Sequence, residues 1–134
     1  DRVLKRAGVV GDGWLTYYYT VEGFVNSWAK VRRFAEEAGR DPETLRNINQ
    51  LPICIGKSRD DVEDRMQEWL TTEWDFAGWS DSTAASAVIG TVDDCVEQLQ
   101  AHLDVGVQQI TLVPYRFDMD QIEQIAEEII PQIG

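Results

Sequence analysis

The stretch Arg6-Ala-Gly-Val-Val-Gly-Asp-Gly-Trp-Leu15 decides the fold, because a helix ends in it and a strand begins. Gly8 and Gly11 are typical stop signals for an opening helix, which we expect to span Asp1 to about Val9. The run from Gly13 to Tyr19 is rich in aromatic and β-branched residues, which favours a strand. The sequence therefore predicts an α/β protein from its first twenty residues.

The same order of strand then helix occurs twice more along the chain. A second strand is predicted at Leu51–Gly56 and a third at Gln109–Tyr115, each a short apolar run. Helices are expected after Thr20 and Ser58, which can cap them, and from Met119 to Ile133. Short strands that alternate with amphipathic helices predict parallel strands joined by helical crossovers.

Apolar residues at helical spacing predict the buried face of each helix. We expect the first crossover helix to bury Val21, Phe24, Val25, Trp28, Val31, Ala35 and Ala38, and the second Val62, Met66, Trp69 and Leu70. The helix after Thr91 should bury Val92, Cys95, Val96, Leu99 and Leu103, and the last helix Ile122, Ile125, Ala126, Ile129 and Ile130.

The segment from Thr71 to Gly90 shows no regular pattern, although it contains Trp74, Phe76, Trp79 and a run of small residues from Ser82 to Ala87. Thr91-Val-Asp-Asp94 then resembles a capping box with Asp in the last position. Parallel strands require each crossover helix to start at their carboxyl end. Residues 76–90 must therefore return to that end, and the start of the helix at Thr91 should lie on the functional edge.

Composition excludes several classes of function. The net charge is −12, from 12 Lys and Arg against 24 Asp and Glu, which disfavours nucleic-acid binding by this surface. No apolar run reaches the ~20 residues that span a bilayer, and no charged-then-apolar leader is visible, so we expect no membrane insertion and a cytoplasmic location. At 134 residues the chain is expected to form one domain.

Cysteine and histidine residues offer no metal-binding spacing. Cys54 falls in a predicted strand and Cys95 on the apolar face of a helix, so buried free thiols are favoured over a disulfide. The single histidine, His102, is expected off the apolar stripe near the end of its helix, where the helix dipole favours it. The sequence shows no catalytic dyad, and we assign no general base.

Four stretches are typical of one known family: Arg6–Leu15, Glu36-Glu-Ala-Gly-Arg-Asp-Pro42, Ile89-Gly-Thr-Val-Asp-Asp94, and Gly106 with Ile110-Thr-Leu-Val-Pro-Tyr115. They resemble the carboxyl-terminal part of the luciferase-like flavin-dependent oxidoreductases, a family that includes many users of the deazaflavin coenzyme F-420. Each motif is weak alone, but they follow one another in family order over nearly the whole chain.

The resemblance implies a TIM-type (β/α)8 barrel, of which this chain would supply about the last three strand–helix units. Such a barrel takes about 250 residues, so we expect residues 1–134 to be a segment of a longer protein. FMN or F-420 and a small-molecule substrate are the implied partners. The glycine-rich strand end that holds the cofactor phosphate in this family would precede Asp1, and open sheet edges favour homo-oligomers.

Barrel enzymes place their chemistry on the loops that follow the strands. The candidate cofactor- or substrate-binding residues are therefore Tyr17, Tyr19, Gly90, Thr91, Tyr115 and Arg116. Each has a structural alternative: the tyrosines can cover the barrel wall, Thr91 can simply cap its helix, and Arg116 can pair with Asp118 or Asp120. Lys57 and Ser58 share the ambiguity between anion binding and capping.

Two other functions remain open at this point. A truncated barrel without catalysis could act by binding or by homo-oligomerisation through its open edges. A small flavodoxin-like domain is less favoured, because Tyr17-Tyr-Tyr-Thr-Val-Glu22 lacks the Gly/Ser/Thr-rich phosphate loop of that fold.

Overall fold

A computed structural model describes residues 1–73 and 85–134 of the chain. The helices are α1 (Arg2–Val10), α2 (Val21–Glu37), α3 (Arg59–Thr72), α4 (Val92–Asp104) and α5 (Met119–Gln124). The strands are β1 (Gly13–Tyr17), β2 (Arg46–Ile55), β3 (Val88–Gly90) and β4 (Gln109–Pro114). Single 3-10 turns lie at Pro42–Thr44 and Tyr115–Phe117. Part of the segment in which the sequence shows no regular pattern lies outside the described residues, including Trp74, Phe76, Trp79 and Ser82 to Ala84.

All four strands are parallel, and β2 is their centre. Asn49 pairs with both β1 and β4, and Ile53 pairs with both β3 and β4. Strands β1 and β3 therefore lie end to end along one side of β2, while β4 lies along the other. The predicted parallel α/β arrangement with crossover helices is confirmed. The prediction of three strands is wrong, because β3 forms a short fourth strand in a segment that shows no pattern.

Strand β2 begins at Arg46, five residues before the predicted start. The additional residues at the start of β2 include Asn47 and Asn49. Both are buried, although Asn is disfavoured in strands. The side chain of Asn47 accepts a hydrogen bond from the Gln108 backbone N–H at 2.8 Å and donates one to the Gly106 carbonyl at 3.0 Å. These bonds satisfy a polar side chain that burial alone would penalise.

Strand β1 ends at Tyr17 instead of Tyr19. Tyr18 adopts φ 60°, in the left-handed region that a non-glycine residue enters at a cost. This residue turns the chain away from the sheet, and its backbone N–H still bonds the Gln50 carbonyl at 2.7 Å. Thr20 then caps α2 by accepting from the Gly23 N–H at 3.1 Å, as predicted.

One face of the sheet, here called the outer face, is covered by α1, α2, α4 and the last helical segment. Trp14 of β1 packs there against Phe24, with ring centroids 5.5 Å apart. Further along β2, Leu51 and Ile53 pack with Leu99 and Ile129 in one buried cluster. The buried apolar stripes predicted for α2 and α4 are confirmed at their central residues Phe24, Val31, Ala35, Cys95 and Leu99. The predicted burial of Val25 and Ala38 is wrong, because both residues are exposed.

On the opposite face, here called the inner face, α3 is the helix among the described residues that packs on the sheet, and it does so near the carboxyl ends of the strands. Val62, Met66, Trp69 and Leu70, the predicted stripe, pack there with Cys54, Ile89 and Val113. Nearer the amino end, Leu15 is 64% exposed and Tyr17 42% exposed on the same face. Within residues 1–73 and 85–134, the sheet is therefore covered by helices on both faces at one end, whereas its inner face is exposed at the other.

The last helix departs from its predicted pattern. After α5 the chain continues as a π turn (Ile125–Ile129) and a 3-10 turn (Ile130–Gln132). Ile125 and Ile129 are buried, whereas Ile122, Ala126 and Ile130 are exposed. A π turn holds more residues than the 3.6 of an α-helical turn, so it rotates the apolar stripe away from the sheet. The predicted burial of these three residues is wrong. The π turn accounts for Ala126 and Ile130, which lie in or after it, whereas Ile122 precedes it.

Two glutamine side chains complete the sheet where a strand partner ends. The amide of Gln121 accepts from the Ile55 N–H at 2.8 Å and donates to the Ile55 carbonyl at 3.0 Å, just beyond the end of β4. Gln98 makes the same pair of bonds to Ile89 on the far side of β3, at 3.3 and 2.8 Å. Each carboxamide takes the place of a neighbouring strand's peptide group and satisfies hydrogen-bonding groups that would otherwise be unpaired at a sheet edge.

We expect Gln121→Leu to lower the free energy of unfolding by about 1–2 kcal/mol, because it leaves the Ile55 N–H and carbonyl unpaired. Gln121→Glu should behave similarly, since a carboxylate cannot donate to the carbonyl. Gln124→Leu, on the same helix, is the matched control and should stay within about 0.5 kcal/mol. Urea unfolding measures all three, and equal midpoints for the Gln121 and Gln124 variants would show that the amide bonds contribute nothing.

Candidate functional site

The predicted site residues fall into two groups at the carboxyl ends of the strands. Tyr17 lies opposite Gln50, whereas Gly90 lies opposite Ile55. Five residues of strand at ~3.3 Å each separate the two positions by about 16 Å. We call the first group the β1 exit (residues 17–20) and the second the upper rim (Gly90, Thr91 and residues 115–117). The predicted return of the chain to the carboxyl end before Thr91 is confirmed by the position of β3.

The three tyrosines of the β1 exit face different ways. Tyr17 is half-exposed on the inner face, beside the open part of the sheet. Tyr18 is buried, and burial raises its pKa to about 12, with a smaller contribution from Tyr17. Tyr19 packs edge-on against Trp14 at 5.2 Å, and its carbonyl accepts from Asn49 Nδ2 at 3.1 Å. Tyr19 thus packs on the outer face, whereas Tyr17 is partly exposed on the inner face.

Gly90 and Thr91 open α4 with a complete capping box. The Thr91 backbone N–H and hydroxyl donate to Asp94 Oδ2 at 2.8 and 2.9 Å, and Thr91 Oγ1 accepts from the Asp94 N–H at 3.2 Å. Gly90 has φ +130°, and a Cβ there would lie 2.5 Å from Asp94 Oδ2. The Asp94 carboxylate therefore occupies the position that an anion would take at this helix start.

These bonds lower the pKa of Asp94, the backbone N–H of Thr91 contributing most and its hydroxyl next. A carboxyl group whose pKa is depressed by folding stabilises the fold above its ordinary pKa and loses that contribution as pH falls through the depressed value. We expect Asp94→Asn to lower the melting temperature at pH 7. The difference from the wild type should shrink below about pH 4, the ordinary range of an Asp carboxyl.

Differential scanning calorimetry between pH 7 and pH 3 tests this expectation. Asp93→Asn is the matched control, because Asp93 is exposed in the same helical turn and makes no capping bond in the described structure. A pH-independent loss in Asp94→Asn would contradict the assignment of the ionised carboxylate as the cap.

The upper rim contains an aromatic cluster, of which only Tyr115 was predicted from the sequence as a site residue. Tyr115 meets Trp69 edge-on at 5.3 Å, and Phe117 meets the same ring at 6.2 Å. Arg65 and Arg116 lie over the Tyr115 ring at 5.8 and 5.5 Å. Trp69 was predicted as a buried helix residue but not as a neighbour of the rim, because sequence spacing carries no information on which strand end a helix crosses.

Arg116 pairs with Glu73 at 2.7 Å, so the predicted alternatives Asp118 and Asp120 are wrong. Arg116 and Phe117 have φ 51° and 54°, and these two left-handed residues turn the chain back toward the end of α3. The carboxylate of Asp118 is instead the cap of α5, accepting from the Asp120 and Gln121 N–H groups. The ion pair leaves Arg116 half-exposed, with its charge already compensated.

Ser58 and Lys57 take part in capping the start of α3, which is the structural alternative to anion binding. Ser58 Oγ accepts from the Asp61 N–H at 3.2 Å, and the Lys57 N–H donates to Asp61 Oδ2 at 3.1 Å. A Cβ on Gly56 would lie 2.3 Å from Val62, which explains glycine between β2 and α3.

Three other groups of chemical interest are buried. Cys54 and Cys95 are free thiols, as expected, and burial raises the pKa of both, that of Cys95 to about 12. Thiols held protonated in this way are poor nucleophiles. His102 is only 5% exposed, so its expected position off the apolar stripe is wrong. Burial lowers its pKa, and stabilisation of a charged imidazole by the helix dipole does not explain it.

Within residues 1–73 and 85–134, no group of three or more His, Cys, Asp and Glu side chains is arranged to hold a metal ion. In the same part of the chain, no helix combines the length and the apolarity needed to cross a bilayer.

Parallel strands joined by helices are the arrangement found in a segment of an α/β barrel. The family model for luciferase-like monooxygenases matches residues 1–109. The chain therefore belongs to the luciferase-like monooxygenase family. No curated protein sequence matches it.

Solved structures with the same fold include two that depend on F-420 and one that contains FMN. An F-420-dependent secondary alcohol dehydrogenase, in complex with an F-420–acetone adduct, superposes with a TM-score of 0.75 at 16% identity, over 99% of this chain and 46% of that one. The coenzyme F-420-dependent tetrahydromethanopterin reductase of Methanopyrus kandleri gives 0.66 at 21% identity, over 98% and 48%.

The oxygenating constituent of 3,6-diketocamphane monooxygenase from Pseudomonas putida, in complex with FMN, gives a TM-score of 0.67 at 12% identity, over 98% of this chain and 45% of that one. At these identities the likeness establishes the fold. The chain spans just under half the length of each of these three proteins. The predicted fold class, a carboxyl-terminal part of a (β/α)8 barrel, is confirmed.

Proposed function

We propose that this chain is the carboxyl-terminal part of an FMN- or F-420-dependent oxidoreductase that acts on a small molecule, as a dehydrogenase, reductase or monooxygenase. The match of the family model to residues 1–109 carries this proposal. The named cofactors of the three similar structures support a flavin or deazaflavin. The bound ring would supply the hydride or electron transfer, while the protein positions it and limits the access of water.

Tyr17 fits the ring side of such a cofactor. Its side chain is 42% exposed on the inner face at the end of β1, next to the exposed Leu15. A flavin ring is planar and largely apolar, and an aromatic side chain on the barrel-facing side of a strand end can cover it. The buried Tyr18 beneath it, with φ 60°, fixes the direction in which the β1 exit leaves the sheet.

The α4 start does not fit the cofactor's phosphate. The Asp94 carboxylate already accepts from both donors of Thr91, and a second anion beside it would be repelled. The proposed role of Gly90 and Thr91 is therefore a neutral contact with the substrate. Tyr115 and Arg116 are proposed to form the rim wall on the α3 side, with Arg116 held in place by Glu73.

Tyr17→Ala tests the proposal in the full-length protein. We expect it to weaken FMN or F-420 binding by about tenfold or more, equivalent to about 1.4 kcal/mol, through loss of the ring contact. Val10→Ala is the matched control, because Val10 is 72% exposed on α1 beyond the opposite end of β1. Titration followed by flavin fluorescence measures both. Wild-type protein that binds neither cofactor would overturn the proposal, and equal affinities of the two variants would remove Tyr17 from the site.

A second function, association without catalysis, is favoured by one specific observation. Among the described strands, β1 pairs only with β2, and Leu15 on its inner face is 64% exposed. An open parallel edge beside an exposed apolar side chain can pair with another copy of the chain. Light scattering on the 134-residue chain separates the two functions. A concentration-dependent dimer that dissociates in Leu15→Lys supports association, whereas a monomer at all concentrations excludes it.

A further inference from the structure

The last helical segment has two apolar sides, and only one of them packs on the sheet. Ile125 and Ile129 are buried in the cluster with Leu99 and β2. The second side consists of four exposed residues, spaced three or four apart as on one side of a helix. They are Met119, Ile122, Ala126 and Ile130. An exposed apolar stripe between polar residues is typical of a surface that binds another protein.

The other side of the outer helical layer, formed by α1 and α2, also exposes apolar side chains. Val3 and Val10 on α1 are 74 and 72% exposed. Val25 on α2 lines a groove of about 350 Å³ together with Trp28 and Val105. The layer therefore has apolar surface in both halves that the described residues leave uncovered.

The two halves of this layer differ in charge. The first, here called the basic half, is α1 and α2, which contain six Lys and Arg against three Glu. The second, here called the acidic half, is α4 and residues 119–132, which contain eight Asp and Glu and no Lys or Arg.

Exposed charges next to the apolar residues are free to pair. Arg2 and Arg6 lie on the exposed side of α1, and Glu123 and Glu127 on that of the last helical segment. Within residues 1–73 and 85–134, none of these four side chains forms an ion pair. The basic half and the acidic half are thus complementary in charge, and each has apolar surface to bury.

We propose that the outer helical layer binds a second copy of this chain, with the basic half of each copy on the acidic half of the other. A two-fold axis parallel to the helices produces this arrangement, because it turns the two layers face to face and places α1 and α2 over the partner's acidic half. Each contact then forms twice, as in any interface with two-fold symmetry. A partner with one sign of charge would match half of the layer, whereas a second copy matches all of it.

The size of the layer fits a stable dimer. The 17 residues of α2 extend about 26 Å at 1.5 Å per residue. Helices that pack side by side at about 8–10 Å give the layer a width of about 30 Å. Its area is therefore about 800 Å², which is what each partner buries in a typical specific interface. This surface lies on the opposite face of the sheet from Leu15, so the inference depends neither on the redox function nor on association through the β1 edge.

Analytical ultracentrifugation of the 134-residue chain tests the proposal by exchange of charge. We expect the wild type to dimerise. Arg2→Glu/Arg6→Glu and Glu123→Lys/Glu127→Lys should each weaken the dimer by at least about tenfold, because like charges then face each other. An equimolar mixture of the two variants should dimerise again, since the acidic α1 of one meets the basic last segment of the other and the second contact is that of the wild type.

Asp64→Lys/Glu68→Lys is the matched control for the charge change. Both residues are exposed on α3, which packs on the inner face, so the same change of four charge units should leave the dimer unchanged. Circular dichroism verifies that each variant keeps its fold. Variants that dimerise as well as the wild type, or a mixture that fails to dimerise, would overturn the proposal.

Ile130→Gln tests the apolar part of the interface, and Leu15→Lys separates it from the β1 edge. We expect Ile130→Gln to weaken the dimer by about tenfold, because the side chain is buried in both copies, and Leu15→Lys to leave it unchanged. A dimer that is lost in Leu15→Lys and kept in Ile130→Gln would place association at the β1 edge and overturn this inference alone. A wild-type chain that is monomeric at all concentrations would overturn both, and the apolar stripe would then belong to a contact with a different protein segment.

Discussion

Trp69→Ala is expected to lower the free energy of unfolding by about 3–5 kcal/mol, the range for removing a large buried aromatic side chain. Trp69 is 1% exposed and packs in the cluster that joins α3 to Cys54, Ile89 and Val113. Its ring also meets Tyr115 at 5.3 Å. The substitution therefore removes the main contact by which α3 covers the inner face.

Trp28→Ala is the matched control for this prediction. Trp28 lies on α2, is only partly buried and stacks on Trp14 at 6.4 Å. We expect a clearly smaller loss of stability, measured by urea unfolding at 25 °C. Hydrogen exchange should further show lost protection in α3 and β3 for Trp69→Ala, with β1 and the paired part of β2 less affected. A loss for Trp69→Ala no larger than for Trp28→Ala would contradict the position of α3.

Gly8→Ala should destabilise the protein by up to about 3 kcal/mol, the upper end of the usual cost of overpacking. A Cβ on Gly8 would lie 2.4 Å from the Val31 carbonyl oxygen and 3.0 Å from the Ala35 N, so α1 and α2 could not keep their present approach. Within a helix, Gly→Ala normally stabilises by ~0.5–1 kcal/mol. The sign of the effect is therefore diagnostic of the contact between the two helices.

Gly23→Ala makes the same change in α2 and serves as its control. A Cβ there would meet only side-chain atoms, Thr20 Oγ1 at 3.1 Å and Tyr19 Cδ1 at 3.4 Å. We expect an effect within about 1 kcal/mol of zero, because the normal helix preference for alanine offsets the tighter contact. Thermal unfolding by circular dichroism compares the two. If Gly8→Ala stabilises as much as an ordinary helical substitution, α1 does not pack on α2 as described.

Local signals in the sequence were sufficient for the starts of α2, α3 and α4 and for the direction of the strands, but not for the course of the last helix after Gln124. Thr20, Ser58 and Thr91 cap α2, α3 and α4 in the structure, and all three were recognisable from residue type and the apolar spacing that follows. The early part of β2 was missed because the burial of Asn47 depends on Gly106 and Gln108, about sixty residues away. Such long-range hydrogen bonds leave no periodic pattern.

The candidate site was predictable in position but not in detail. The carboxyl ends of parallel strands must meet at one edge, which placed Tyr17 and Tyr115 correctly at strand ends; the strand that ends at Gly90 was not predicted. The ion pair of Arg116 with Glu73 could not be predicted, because it depends on where α3 crosses the sheet. The buried state of His102 was missed for a similar reason: its neighbours come from α2 and from the segment before β3.

Cross-strand nuclear Overhauser effects in the isotope-labelled chain test the central claim, the parallel sheet with α3 on its inner face. The structure places Leu51 beside Leu112 in parallel register and packs Trp69 with Ile89 and Val113. We expect Hα-to-amide contacts between β2 and β4 in that register, and contacts from the Trp69 ring to the methyl groups of Ile89 and Val113. Close Hα–Hα pairs between β2 and β4, or Trp69 contacts to Leu99 and Ile129 on the outer face, would contradict it.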